Sequence, residues 1–215
     1  MKEDKMIRHY KVTLLSPLFY YTKTESGVAS TTPFIGDLAL TYATNFALSQ
    51  NSDITYQTKS KPDYEEIKNL GFLWTIARPI KVKRTPVYAR YTSPVSDGMV
   101  RKDLIELMGK ALFKNYFHVQ GIETGSTFQA SFMGELNLPE KFTLRMGNGR
   151  DCLILLEEME KPERDIWINY YTITKIFNKT FELREGFTIE PVLAQYIIVK
   201  GLNKDDLKKL ETILL

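Results

Sequence analysis

The sequence is poor in the residues on which most metal proteins and hydrolytic enzymes rely. Its one cysteine, Cys152, stands alone in 215 residues, which excludes an internal disulfide and a cysteine cluster for zinc or iron–sulfur. Two histidines, His9 and His118, are too few for a histidine-rich metal site, and most Ser-His-Asp schemes lose their base. Apolar runs such as residues 71–77 fall far short of the ~20 residues that cross a bilayer. The charged opening MKEDKMIRHYK is unlike a signal peptide, so we expect a cytoplasmic protein without a membrane partner. Neither a phosphate loop, a dinucleotide fingerprint, HExxH nor GxSxG occurs. The carboxylate pairs Glu65-Glu66, Glu157-Glu158 and Asp205-Asp206 are sequence neighbours that point in different directions, so none makes a general acid/base pair.

What is present is an ample apolar content, 43% hydrophobic and 12% aromatic, enough to bury a core in a single domain over 1–215. Charge is nearly balanced, 29 Lys+Arg against 26 Asp+Glu for a formal +3, but it is unevenly placed. Between residues 78 and 102 lie Arg78, Lys81, Lys83, Arg84, Arg90, Arg101 and Lys102 against the single acid Asp97, so that window carries +6 and the rest of the chain −3. A basic island on a near-neutral body points to a polyanionic partner.

Periodicity predicts strands and helices intermixed, hence an α+β fold. Residues 9–21 read as a strand broken or bulged at Pro17, followed by a polar loop over 22–32. In 34–48, Ile35, Leu38, Ala39, Tyr42, Ala43 and Phe46 recur at helical spacing behind Asp37. A polar connector over 51–62 leads to a short helix at 63–71 closed by Gly71, then a strand at 72–78. The alternation IKVKRTPVYARYTSP predicts a hairpin or β-ribbon, so 78–102 is expected as a basic ribbon or thumb inserted in the domain. Residues 101–117 return to helical period. Strands are expected at 127–136, 142–147, 151–157 and 193–201, while 167–177 fits either a strand or a helix. A closing helix at 203–215 has Asn203 as its cap.

Three segments are candidates for binding. In RMGNGRD (145–151), the flexible Gly147-Asn148-Gly149 turn would let backbone N–H groups approach phosphate while Arg145 and Arg150 supply charge. Asn148-Gly149 is equally the signal of a plain hairpin turn. In the basic window, Tyr88, Arg90 and Tyr91 interleave ring and cation, as surfaces that stack bases and hold a phosphate backbone do. A charge-protected edge strand would look the same. The third segment, Tyr20-Tyr21-Thr22-Lys23, ends the first strand, where Tyr21 and Lys23 would serve a similar purpose, with core packing as the alternative for the tyrosines. His118 reads as a structural histidine and His9 beside Tyr10 and Lys11 as a conceivable acid/base set for RNA cleavage; an endoribonuclease would use His9 or His118 with a tyrosine and a lysine.

Residues LLSPLFYY followed by TTPFIGDLALTYATNFAL, YARYTSP (88–94) and LRMGNGRD (144–151) together resemble the type I-D CRISPR-associated RAMP subunit of the Cas five group, the Csc one family. Its members carry a similar TxPxxxxxALTYA helix, a tyrosine- and Thr-Pro-containing segment and an RLGK turn. Here Asn148 stands where that turn has lysine, with Arg150 as a substitute. The likeness spans the first half of the chain and the turn, leaving the last 60 or so residues unmatched. It implies a ferredoxin-like (RRM-related) RAMP core with a β-rich projection or thumb. The implied role is to hold the 5′ handle of CRISPR RNA in the interference complex, against a large Cas ten-type subunit and a Cas seven-type backbone subunit, near the protospacer-adjacent motif of target double-stranded DNA. Arg78, Lys81, Lys83, Arg84 and Arg90 would then neutralise phosphates, Tyr88 or Tyr91 would stack on bases, and the 145–150 turn would clamp the handle. In type I-D the cleavage of precursor RNA belongs to a separate Cas six-type nuclease, so neither catalysis nor a cofactor is expected. Two other functions fit the residues: a metal-independent endoribonuclease, and a scaffold whose basic ribbon docks on an acidic protein.

Overall fold

The computed structural model describes residues 7–20, 23–25, 28–48, 64–91, 95–96, 99–100, 116–147, 151–193 and 195–215. At its centre is β1 (Ile7–Leu14), whose alternation of Tyr10, Val12 and Leu14 against Lys11 and Thr13 gives a strand with one buried face. It pairs antiparallel with β10 (Thr127–Gly134) on one side and β12 (Cys152–Met159) on the other. β11 (Lys141–Met146) extends the sheet beyond β12, while β4 (Phe72–Trp74) and β5 (Arg78–Lys81) both pair with β10. Taken in chain order, β1, β4, β10 and β12 lie in the sheet as fourth, first, third, second. The helix α1 (Asp37–Leu48) follows β1, and β11 occupies the stretch between β10 and β12.

The sheet curls. Helix α1 touches both β4 and β11, strands at opposite ends of it, and the Tyr10 ring meets Trp74 of β4 at 5.4 Å and Phe142 of β11 at 5.6 Å. Inside the curl Val12, Leu14, Phe128, Phe132, Ile154 and Leu156 are buried. At ~25 cal/mol per Å² of apolar surface, such side chains supply most of the stabilising free energy.

Helix α1 turns a different face inward from the one its apolar spacing predicts. Leu38 and Leu40 are buried together with Asp37, Thr41, Thr44 and Asn45, while Phe46 is 60% exposed. The polar residues win because they meet polar partners in the core. Thr44 Oγ1 accepts the Trp74 indole N–H at 2.8 Å, and Thr41 Oγ1 accepts the Trp74 backbone N–H at 3.3 Å. Asp37 receives Asn169 Nδ2 at 3.2 Å and Thr172 Oγ1 at 2.5 Å. Burial nevertheless dominates its titration and pushes the carboxyl from 3.8 up to about 6.

A second sheet, β13 (Ile166–Asn169), β15 (Tyr196–Leu202) and β14 (Thr188–Leu193), packs with the helix α2 (Lys204–Leu214) beside the β10 and β4 end of the first. Residues 167–177 are both strand and helix: β13 is followed by a π-helical turn at Thr172–Ile176. Asn203 caps α2 in a capping box with Asp206, as its position predicts.

The polar stretch 22–32 is not a plain loop. Lys23–Glu25 (β2) and Val28–Ser30 (β3) pair, and β3 runs parallel to β9 (Tyr116–Gln120), which pairs in turn with β6 (Tyr88–Tyr91). Short strands of Thr, Ser, Val and Ala find their partners through this distant strand, a term that local spacing does not carry. The helical expectation for 101–117 lies outside the described residues except for 116 and 117, which begin β9. The basic window divides among three sheets: β5 in the curled sheet, β6 in this four-stranded one, and a separate hairpin of β7 (Val95–Ser96) with β8 (Met99–Val100).

Candidate nucleic-acid interface

The four-stranded sheet runs β2, β3, β9, β6. It joins two segments that stand some sixty residues apart in the sequence: Lys23 at one edge, paired with Ser30, and Tyr88, Arg90 and Tyr91 at the other, paired with Val119, Phe117 and Tyr116. Tyr21, Asn148, Gly149 and Arg150 lie outside the described residues.

Phe19 ties the candidate segments together. Its ring stands edge-on to Tyr88 at 6.1 Å. It also lies against Gly121, where an added Cβ would sit 2.7 Å from the ring and 2.5 Å from the Leu18 carbonyl. On the other side of the same residue, the Phe19 carbonyl would be 3.2 Å from a Cβ on Gly147, whose φ of 88° already favours glycine. The turn after β11 and the tyrosine of β6 are thus held about one aromatic residue. β11 and β12 pair up to Met146 and Cys152, so the RMGNGRD segment is a hairpin connection; being a hairpin does not stop its glycines from approaching a ligand. Tyr88 remains 46% exposed and presents ring surface for stacking.

The cations of the window differ in their freedom. Lys81 and Lys83 are exposed, with no ion pair among the described residues. Arg84 donates to the Thr31 carbonyl and pairs through an isolated bridge with Ile122, which fixes its stem beside β3. Arg78 is engaged in the fold: it forms an ion pair with Asp165 and lies over the Trp167 ring at 5.3 Å. Arg145 is exposed on the face of β11 away from the core.

Tyr20 takes the alternative that the sequence reading left open for it, packing against the core. The Tyr20 hydroxyl donates to the Phe34 carbonyl and lies 3.4 Å from Thr32 Oγ1, and burial drives its pKa up; it is a core residue. Phe19 is the residue that reaches the interface, and the signal for it was the aromatic end of LLSPLFYY, where alternation must send one neighbour in and the other out.

His9 is 4% exposed, with its Nδ1 2.8 Å from Ser131 Oγ. His118 is exposed on β9, opposite Ala89. Burial pushes the Cys152 thiol up to about 12, so it is no nucleophile at neutral pH. Among the described residues no three His, Cys, Asp or Glu side chains gather as metal ligands, and no helix is long and apolar enough to cross a membrane.

Compared with known families, residues 5–189 match the model of the type I-D CRISPR-associated protein Cas5/Csc1. The chain belongs to the Cas5/Csc1 family. The match extends well past the segments that carry the resemblance, leaving 1–4 and 190–215 outside. Membership makes this Cas5/Csc1 chain a protein of the type I-D CRISPR system and supports a place among the subunits of a CRISPR effector complex. No curated protein matches it. Among solved structures, a chain of "Cryo-EM structure of the Type III-B Cmr-beta bound to cognate target RNA and AMPPnP, state 1" is similar with a TM-score of 0.46 and 8% identity, over 91% of this Cas5/Csc1 chain and 84% of that one. The identity is too low for function to transfer.

Proposed function

We propose that the protein is a non-catalytic, RNA-binding subunit of a type I-D interference complex that holds the 5′ handle of CRISPR RNA. In this role it adjoins the large Cas ten-type subunit and a Cas seven-type backbone subunit, near the protospacer-adjacent motif of target DNA, in the cytoplasm. The observation that carries the reading is the convergence on Phe19. The exposed Tyr88 ring, the glycine turn at Gly147 and the sheet bearing Lys23 and Arg90 meet there. Tyr88 or Tyr91 stacks on bases, and Lys83, Arg84 and Arg90 neutralise phosphates. The turn offers backbone N–H groups to the handle phosphates, with Arg150 in place of the family's lysine.

The strand order of β1, β4, β10 and β12 with α1 after β1 supports a ferredoxin-like core in which β11 takes the position of the second helix. The four-stranded sheet and the β7–β8 hairpin are its projection.

The test is the salt dependence of handle-RNA binding. Three phosphate contacts on a single strand predict a slope of log K against log salt of roughly −2, at about −0.7 per contact. A slope near zero refutes the phosphate clamp. Cleavage of repeat RNA by the purified protein in EDTA, lost on substituting His118, would establish the endoribonuclease instead. Loss of subunit assembly in Lys83→Glu with RNA binding intact would establish the scaffold.

A further inference from the structure

The outer face of the curled sheet is covered at its β10 end, where the Gln129 side chain exchanges hydrogen bonds with the Arg164 backbone and Met133 is buried near α2. Over β1, β12 and β11 nothing among the described residues closes it. Pairing aligns the outward side chains there in rows: Lys11 with Glu157 and Lys141, then Thr13 with Leu155 and Thr143, then Leu15 with Leu153 and Arg145. The middle row continues through Thr127 to Lys81 on β5. At ~4.8 Å per strand, that row spans roughly 19 Å.

This face has an apolar centre and a cationic border. Leu15 is 44% exposed, and Leu153 and Leu155 are half-buried with no cover. Around them stand Lys11, Lys81, Lys141 and Arg145, and the one acid in these rows, Glu157, pairs with Lys141 at 2.8 Å. Leucines at the middle of a sheet with charges at the rim have the anatomy of a protein interface. Single-stranded RNA would ask for aromatic rings, and every outward residue of these rows is aliphatic, hydroxylic or charged. A second copy docking by two-fold symmetry would set this cationic border against itself.

We infer that this outer face over β1, β12 and β11 docks another protein subunit through a surface that is apolar at its centre and carboxylate-bearing at its edge. The inference rests on the complex-subunit reading above and adds a docking surface separate from the RNA interface at Phe19 and Tyr88.

Two substitutions separate the possible occupants, because an added cation weakens an apolar protein contact and strengthens a phosphate contact. Leu155→Lys places the charge at the centre. Thr143→Lys places it at an exposed neighbour, where folding is not at stake. The tagged chain is co-expressed with the other type I-D subunits and CRISPR RNA, and its share in the purified assembly is measured by native mass spectrometry. Handle-RNA affinity of the isolated chain and its melting temperature are measured alongside. The expected result is an at least tenfold lower incorporation of both variants, with RNA affinity unchanged in both and melting unchanged in Thr143→Lys. Wild-type incorporation of Thr143→Lys overturns the inference. So does a tighter grip on RNA in either variant, which would make the occupant nucleic acid, or a wild-type homodimer that the substitutions dissolve. If the isolated chain binds no handle RNA while both variants lose incorporation, the RNA reading fails and the docking surface stands.

Discussion

Asp37 gives the most direct test of how α1 is anchored. Its carboxylate is buried at the N-terminus of the helix and accepts hydrogen bonds from Asn169 and Thr172. Desolvation outweighs these bonds and raises the pKa from 3.8 to about 6. Each unit of difference between folded and unfolded states is worth 1.36 kcal/mol, so the group accounts for roughly 3 kcal/mol. A raised folded pKa means that the folded state holds the proton more tightly. The contribution is fully present below pH 3.8 and is lost as pH rises through 6. Asp37→Asn keeps an acceptor for Asn169 and a neutral group toward Thr172, and so freezes the protonated form. The assay is urea unfolding of both proteins from pH 4 to pH 7.5. Relative to Asp37→Asn, the natural protein should lose roughly 3 kcal/mol across that range, or roughly 10 °C in melting temperature for a chain of this size. Taking the difference between the two proteins cancels every other titrating group. A difference that stays flat with pH, or one that grows in the opposite direction, would show that Asp37 is ionised in the fold without penalty and that the burial argument is wrong.

Three further outcomes follow from the geometry. Thr44→Val removes the acceptor of the buried Trp74 indole N–H and should cost about 1–3 kcal/mol, read by chemical unfolding; Phe46→Ser on the exposed side of the same helix should cost within about 0.5 kcal/mol. Gly147→Ala, at φ 88° with its Cβ 3.2 Å from the Phe19 carbonyl, should destabilise by about 1–2 kcal/mol. It should also weaken handle-RNA binding, since it displaces the turn and Phe19 together; unchanged binding would separate the turn from the interface. Tyr88→Ala removes an exposed ring and should lower RNA affinity by about 1–3 kcal/mol with little change in melting temperature, as measured by fluorescence anisotropy with handle RNA.

Much of the fold was legible from alternation and capping. β1, β10, β11 and β12 lie close to the strands expected at 9–21, 127–136, 142–147 and 151–157, because their apolar and aromatic residues have a buried face in the curl. The cap at Asn203 is a local signal and was read correctly. What local pattern misses is set by distant partners. The inward face of α1 is chosen by Trp74, Asn169 and Thr172, so hydrophobic spacing alone rotates the helix and wrongly buries Phe46. β14 is an exposed edge strand interrupted by Pro191, and its residues carry little alternation because neither face is fully buried.

The candidate site divides in the same way. Charge and aromatic content are properties of the sequence itself, and they single out Tyr88, Lys83 and the glycine turn as candidates without any knowledge of their neighbours. Whether a cation is free is a property of the fold. Arg78 counts as one of seven basic residues in the window, yet Asp165, 87 positions later in the chain, holds it in an ion pair, and a composition window cannot see that acid. Lys81 and Arg145, which the same reading assigned to RNA, stand on the outer face of the curled sheet with Lys11 and Lys141. Lys141 drew no attention in sequence, and Lys11 did so only as a neighbour of His9; the two become part of a cationic border only once β1, β11 and β12 pair. The net charge of the window therefore sums two surfaces, and substitutions at Lys83 and at Thr143 should affect RNA binding and assembly separately.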